Sequence, residues 1–275
     1  MTRAALLQMN TGIDPVANCD VLVDAVAQAA AEGAAMLFTP EMSGLLDRDR
    51  ARAAAHIHPE ENDPVLARVR EAAAKAGIWV HLGSLALRRP DGALANRGFV
   101  IDESGAIRAR YDKLHMFDVD LPTGESWRES AAYRAGDGAV VVPTPLGMLG
   151  LTICYDLRFS ALFTALAAAG AEVISVPSSF TRPTGAAHWE VLLRARAIET
   201  GSWVLAAAQR GGHTDGRETW GHSLGVSPWG EVMLDMGEGL GLGFVDIDSD
   251  RVTDARTRIP VAKHMRPLPV VERAA

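Results

Sequence analysis

The chain has 275 residues, 48% hydrophobic and 22% charged, an ordinary globular balance with enough apolar material for a sizeable core. Its net charge of −7, with no Lys/Arg cluster interleaved with aromatics, speaks against a nucleic-acid partner. The longest uncharged apolar run, about 161–171, is far short of the roughly 20 residues that span a bilayer, so no membrane partner is expected. Gln8 and Asn10 interrupt the apolar start where a secretory signal needs continuity. Two cysteines, Cys19 and Cys154, without a CxxC spacing, fit a reduced cytoplasmic protein.

In chain order, Ala4 to Met9 reads as a buried strand. Asp14-Pro15 then supplies a cap and a first-turn proline for a long Ala/Val-rich helix ending near Gly33. Cys19 lies in its first turns and is read as packing. Residues 35–39 form a second strand, stopped by Pro40. That leaves Glu41 just past a strand's C-terminal end, where open α/β sheets keep their chemistry; taken alone, a solvated loop acid is the plainer reading. A loop or short helix covers Asp47 to His56, and Asp63-Pro64 starts another helix closed by Gly77. Ile78 to Leu87, Arg97 to Asp102 and Ala106 to Arg110 read as a meander, turned at Arg89-Pro-Asp-Gly92 and Glu103-Ser-Gly105.

A long loop, Val119 to Gly138, follows and carries Glu125, Trp127, Glu129 and Tyr133. Loops of such length are usually functional or disordered, and this mixture suits a pocket wall. Leu149 to Ile153 reads as a short buried strand that breaks at Cys154, with Asp156 placed to cap a helix from Leu157 through Ala169. A cysteine at such a corner would sit under helix N–H groups that lower its pKa; the alternative is a small buried hydrophobe. Further on come a strand at 172–176, a loop Pro177 to Gly185 and a helix from about Ala186 to Thr200. A strand Trp203 to Ala208, a polar stretch Arg210 to His222 and a hairpin of Leu224–Val226 with Glu231–Leu234 follow, and Gly243 to Ile247 is the last strand. The tail from Pro260 is suited to lying over a partner. With no repeat or linker composition, residues 1–275 read as one domain.

Of the 27 basic residues only Lys75, Lys113 and Lys263 are lysines, so the other 24 are arginines. A lysine retained under that bias hints that an amine is needed there, although Lys75 on a helix face shows how weak the hint is. Separately, Glu41, Lys113 and Cys154 each have an ordinary explanation. Together, Phe38-Thr-Pro-Glu41, Tyr111-Asp-Lys113-Leu-His115-Met-Phe-Asp118 and Gly150-Leu-Thr-Ile-Cys154-Tyr-Asp-Leu-Arg158-Phe resemble the nitrilase superfamily of carbon–nitrogen hydrolases. The resemblance continues through Pro177-Ser-Ser-Phe-Thr181, residues 184–199, Gly221-His222-Ser and Pro228-Trp-Gly230, and so covers nearly the whole chain. Thr184-Gly185, His188-Trp-Glu190, Arg194-Ala-Arg-Ala-Ile-Glu199-Thr and Ala206-Ala-Ala-Gln209 are most similar to its Nit branch.

What the resemblance implies is specific. The fold would be α/β (α+β), a four-layer α-β-β-α sandwich, commonly assembled as a homodimer or higher homo-oligomer. Cys154 would be the nucleophile, Glu41 the proton shuttle and Lys113 the oxyanion donor together with the Tyr155 backbone N–H. Glu129 would match a second family glutamate that positions substrate and lysine. The substrate would be a small carboxylate-bearing amide, deaminated glutathione first and a 2-oxoglutaramate-type amide second, with no cofactor and no metal. Phe180, Thr181, Arg182 and Arg210, on strand-end loops, are candidates to bind it. His188, Arg194, Arg196 and Glu199 are read as a structural ion network. A Cys–His hydrolase using His115, His188 or His222 would leave Glu41 and Lys113 unexplained. The eight histidines include no HExxH and no Cys/His cluster, which disfavours metal hydrolysis, and residues 237–243 lack the flanks of a dinucleotide site. An inactive binding module should have lost a triad position, and all three are present.

Overall fold

A computed structural model describes residues 1–120, 124–267, 270 and 273. In chain order its regular elements are β1 (Thr2–Gln8), α1 (Pro15–Ala31), β2 (Met36–Phe38), α2 (Arg50–Ala54), α3 (Pro64–Ala76), β3 (Trp79–Arg88), β4 (Leu94–Ile101) and β5 (Ile107–Asp112). A ribbon of β6 (Asp118–Asp120) and β7 (Ser126–Arg128) comes next, then β8 (Val141–Thr144), β9 (Gly147–Leu151), α4 (Ser160–Ala168), β10 (Val173–Ser175) and α5 (Arg182–Thr200). The chain continues through β11 (Trp203–Ala206), β12 (Arg210–Gly212), β13 (Glu218–Trp220), β14 (Leu224–Val226), β15 (Val232–Asp235), β16 (Gly241–Ile247), α6 (Ser249–Arg258) and α7 (Val261–His264).

Two six-stranded sheets result, ordered β16-β1-β2-β3-β4-β5 and β15-β14-β11-β10-β9-β8. Each has parallel strands at its centre and antiparallel strands outside them. Alternation along the central strands tells where they face. Ala4 and Leu6 of β1, with Met36 and Phe38 of β2, pack in one core with Leu149, Leu151, Val173 and Leu205 of the other sheet. Ala5, Leu7 and Leu37 point the other way, onto Leu22 and Val26 of α1 and Leu66 and Val69 of α3. Leu162, Phe163 and Leu166 of α4 and Trp189, Leu193 and Ala197 of α5 cover the second sheet. The layers are therefore α-β-β-α, the expected sandwich. Both faces of both sheets are buried, as parallel strands require.

The helix ends follow their capping residues. Asp14 accepts the Val16 N–H and Asp63 the Leu66 N–H, each before a proline at the first helical position. Gly77 and Gly201 close α3 and α5 in the left-handed conformation, where a Cβ would be strained.

Three local expectations need correction. Asp156 does not cap a helix running from Leu157. Residues Cys154–Arg158 form a 3-10 turn, and α4 starts separately at Ser160. The reason is that the Asp156 carboxylate is buried and already committed, as described below. Second, α5 begins at Arg182, because Pro183 suits a first turn, so Arg182 and Thr184 are helical rather than in a loop. Third, the stretch expected as a loop at 119–138 contains the β6/β7 ribbon, with residues 121–123 outside the described residues. Beyond residue 267, only 270 and 273 of the expected tail are described.

Candidate active site

Glu41 lies three residues past β2, in a segment fixed by its own polar groups. Ser43 Oγ donates to the Pro40 carbonyl at 2.6 Å, the Gly83 N–H to Thr39 Oγ1 at 3.0 Å, and the Met42 N–H to Ser84 Oγ at 2.9 Å. Gln209 Nε2, brought across from the end of β11, donates to the Glu41 carbonyl at 3.0 Å. Lys113 follows directly on β5, and its N–H donates to the Asn96 carbonyl on β4. Cys154 follows β9 by three residues, has φ +50°, and donates its N–H to the Pro177 carbonyl after β10. Three strand ends from two sheets thus deliver the three side chains to one place.

All three are buried: Glu41 is 5% exposed, Lys113 2% and Cys154 7%. Lys113 Nζ donates to Glu41 Oε1 at 2.9 Å and to Glu129 Oε2 at 2.8 Å. Glu129 stands on a 3-10 turn after β7 and also accepts the Phe117 N–H at 2.7 Å. Asn96 was not foreseen from the sequence. Fully buried on β4, it directs Nδ2 at Glu41 Oε1 (2.9 Å) and Glu129 Oε1 (3.1 Å), so a neutral amide and an ammonium share the two carboxylates. A single Asn inside an apolar strand was the available signal, since a buried amide must find partners.

The electrostatics follow from this crowding. Burial works against a charged Lys113, but the Glu129 and Glu41 carboxylates outweigh it and hold the ammonium well above its usual pKa. Burial likewise pushes the Cys154 thiol well above its ordinary value. Glu41 adds to that, while Lys113 and the Ser179 backbone N–H oppose it. Burial thus favours the thiol, in place of the lowered cysteine pKa expected of a helix N-terminus. There is no such helix to lower it.

Asp156, 0% exposed, ties the lysine strand to the cysteine turn. It accepts the Tyr111 hydroxyl at 2.7 Å, the His115 N–H at 3.0 Å and the Ile153 N–H at 2.9 Å, and its Oδ1 lies 2.7 Å from His115 Nδ1. The His115 ring stacks on Phe159 with centroids 3.6 Å apart.

The cluster opens into a cavity of about 830 Å³, lined among others by Phe117, Trp127, Tyr133, Tyr155, Phe180 and Thr181. Burial pushes the Tyr133 hydroxyl up to about 12. Two wall groups are buried without a hydrogen-bond partner among the described residues, Trp127 Nε1 and Ser179 Oγ. Arg182 and Arg210, expected to meet substrate, do not line this cavity. Both lie against Glu238, at 3.6 and 3.0 Å. The arginines that do line it are Arg48, Arg50, Arg88, Arg128 and Arg217.

No histidine is among the described residues lining the cavity. His188 lies within 3.4 Å of the Arg158 guanidinium and His222 is bound by Asp235, so neither they nor His115 are placed as a base for Cys154. Arg194 and Arg196 donate to the Gly230 and Leu157 carbonyls, with Glu199 paired to Arg196. Among the described residues no group of three or more His, Cys, Asp or Glu side chains is placed to hold a metal ion, and no helix is long and apolar enough to cross a membrane.

Comparison with known proteins places the chain in a family and a fold. The family model described as "Carbon-nitrogen hydrolase" matches residues 3–257. A deaminated glutathione amidase of Yersinia enterocolitica is 40% identical over 267 residues, covering 96% of this chain and 93% of that one. The crystal structure of the C. elegans NitFhit protein superposes with a TM-score of 0.89 at 37% identity, over 96% of this chain and 65% of that longer one. An amidase from Nesterenkonia sp. AN1 gives a TM-score of 0.78 at 29% identity, covering 94% and 98% of the two chains. That structure shows acrylamide joined by Michael addition to its active-site cysteine.

Proposed function

The chain belongs to the carbon–nitrogen hydrolase family, and from that premise we propose that it hydrolyses a small carboxylate-bearing amide, deaminated glutathione first, through a thioester on Cys154. The observation that carries this reading is the convergence of Glu41, Lys113 and Glu129 beside Cys154 at the foot of an open cavity. The substrate choice is supported by relatives named deaminated glutathione amidase, among them the one from Yersinia enterocolitica.

In this mechanism Cys154 Sγ attacks the amide carbonyl carbon as its proton passes to Glu41. Because the resting thiol is favoured by burial, attack and proton transfer must be coupled. Lys113 has three N–H bonds; with one directed to Glu41 and one to Glu129, the third holds the tetrahedral oxyanion beside the Tyr155 backbone N–H. Collapse breaks the C–N bond, and Glu41 gives its proton to the leaving nitrogen. Water then loses a proton to Glu41 and attacks the thioester, the acid leaves, and the proton returns to sulfur. Glu129 and Asn96 keep lysine and base in register throughout.

Deaminated glutathione carries an oxo group where glutathione has its α-amine, so cleavage of its γ-amide releases 2-oxoglutarate. Assay of 2-oxoglutarate release, set against acid release from neutral aliphatic amides and nitriles, tests the reading. The expected result is the highest kcat/KM for deaminated glutathione. A tenfold advantage for a neutral amide or nitrile, about 1.4 kcal/mol of transition-state preference, overturns it. Two-oxoglutaramate, as the second carboxylate-bearing candidate, belongs in the same panel.

We further propose a cytoplasmic setting, supported by two free cysteines, and a homodimer or larger homo-oligomer built on a single hydrolase unit. Exposed apolar side chains on α5 and the adjoining hairpin, Val191, Ile198, Trp229 and Met233, support association.

A further inference from the structure

The indole N–H of Trp127 can only donate, and it is buried in the cavity wall with no acceptor among the described residues. A buried donor left open is unfavourable, so its position on the substrate cavity points to a ligand oxygen as the missing partner. What surrounds the ring says which kind of oxygen. The Arg48 guanidinium lies over it at 4.8 Å from the ring centroid and that of Arg217 at 5.1 Å. Asp215 neutralises Arg217 through a 2.8 Å contact. Arg48 spends only its backbone N–H on Asp215, and among the described residues no carboxylate pairs with its side chain. Arg50, two residues on, reaches only the Arg128 and Ala131 carbonyls among the described residues, at 3.3 and 3.4 Å. So one wall of the cavity offers an indole N–H and two guanidinium groups without counter-ions among the described residues, in a chain whose net charge is −7.

We infer that Trp127 and Arg48, with Arg50 beside them, form a subsite for a substrate carboxylate, remote from the reacting carbonyl. This deepens the proposed function and rests on it. The indole N–H would donate to one carboxylate oxygen while Arg48 supplies charge alongside. Glu125 and Glu218 also line the cavity, but both are exposed, where water and salt weaken their repulsion. The subsite explains how an acidic protein binds an acidic amide after Arg182 and Arg210 are turned to Glu238.

A carboxylate could come from the acyl side of the amide or from its leaving side, and two substrate pairs separate the cases. Glutaramate with its methyl ester probes the acyl side; deaminated glutathione with its glycine methyl ester probes the leaving side. The measurement is the ratio of kcat/KM for acid over ester, in wild type, Trp127→Phe and Arg48→Gln. Phenylalanine keeps an aromatic ring, though a smaller one, and removes the N–H, and glutamine removes the charge. The expected result is that both variants lower the ratio about tenfold for one pair, chiefly through KM, the scale of one charge-assisted hydrogen bond. A general packing defect would depress acid and ester together and leave the ratio unchanged. If wild type prefers the acid and both variants keep that preference, this subsite is wrong while the proposed function stands. If wild type shows no preference for either acid, the carboxylate-amide reading itself fails, and the subsite with it. Arg182 is not among the cavity-lining residues and lies against Glu238, so Arg182→Gln should alter neither ratio.

Discussion

An ammonium held between two carboxylates in a buried site must be compact, and Lys113 is bound on both sides at 2.8 and 2.9 Å. Guanidinium is larger and planar, and its fixed fork would seize Glu41 as a bidentate partner, pinning the group that must carry protons. Lys113→Arg is therefore expected to lose at least about 100-fold in kcat, the scale of one oxyanion donor. Lys75→Arg should be silent, and steady-state kinetics on the two variants is the check. The arginine bias that singled out Lys113 was legible in the sequence. Asn96 was not, because an asparagine in a strand acquires meaning only when Glu41 and Glu129, from distant segments, arrive within 2.9 and 3.1 Å of its amide.

His81 offers a separate test at the same scale. It is 1% exposed on β3, its Nδ1 has no hydrogen-bond partner among the described residues, and burial lowers its pKa to about 3. The unfolded chain takes up a proton near the ordinary value of 6.5, whereas the folded chain does not until about 3. Stability from the neutral ring is therefore complete above about 6.5 and is lost as pH falls from there toward 3. His81→Leu removes that titration. Its melting temperature should fall less than wild type's between about pH 7.5 and about pH 5. An equal fall in both proteins would show that His81 does not set the acid limb.

At the scale of elements, the positions of Lys113 and Cys154 depend on one buried carboxylate and one close crossing. Asp156 receives donors from the β5 end and from the turn after β9, so it sets the lysine relative to the nucleophile. Tyr111→Phe deletes one donor and leaves part of a buried charge unpaired. A loss of about 1–3 kcal/mol in denaturant unfolding is expected, together with reduced kcat. The second constraint is Gly83, where a Cβ would collide with the Thr39 and Pro40 carbonyl oxygens and with Pro177 Cβ at 2.6 Å. Those backbones lead to Glu41 and run beside Cys154, so Gly83→Ala should lose activity beyond the roughly 1–3 kcal/mol of overpacking measured by unfolding. The sequence showed that the strand breaks at Cys154. It did not show why, because Asp156 reads equally well as an N-cap until its partners Tyr111 and His115 are known.

At the scale of the whole molecule, the βα units and the outer antiparallel strands were legible from periodicity and turn residues. The pairing of two sheets face to face was not. Alternation shows that β1 and β2 bury both faces, yet not which face meets the other sheet and which meets α1 and α3. The same limit misplaced the arginines. Arg182 and Arg210 follow strand ends, as substrate-binding residues often do, but Glu238, from a loop before β16, claims both. Exposed Val191, Ile198, Trp229 and Met233 call for cover, so light scattering at micromolar concentration should return at least a dimer mass. A monomer mass would remove that proposal.

The most direct test of the chemistry is rapid-quench intact mass spectrometry of the enzyme during turnover of deaminated glutathione. An acyl adduct should appear on Cys154, in wild type and in Cys19→Ala, and both should turn over. Cys154→Ala should show neither adduct nor turnover. Turnover retained in Cys154→Ala, or an adduct mapping to any residue other than Cys154, would contradict a thioester mechanism at this site.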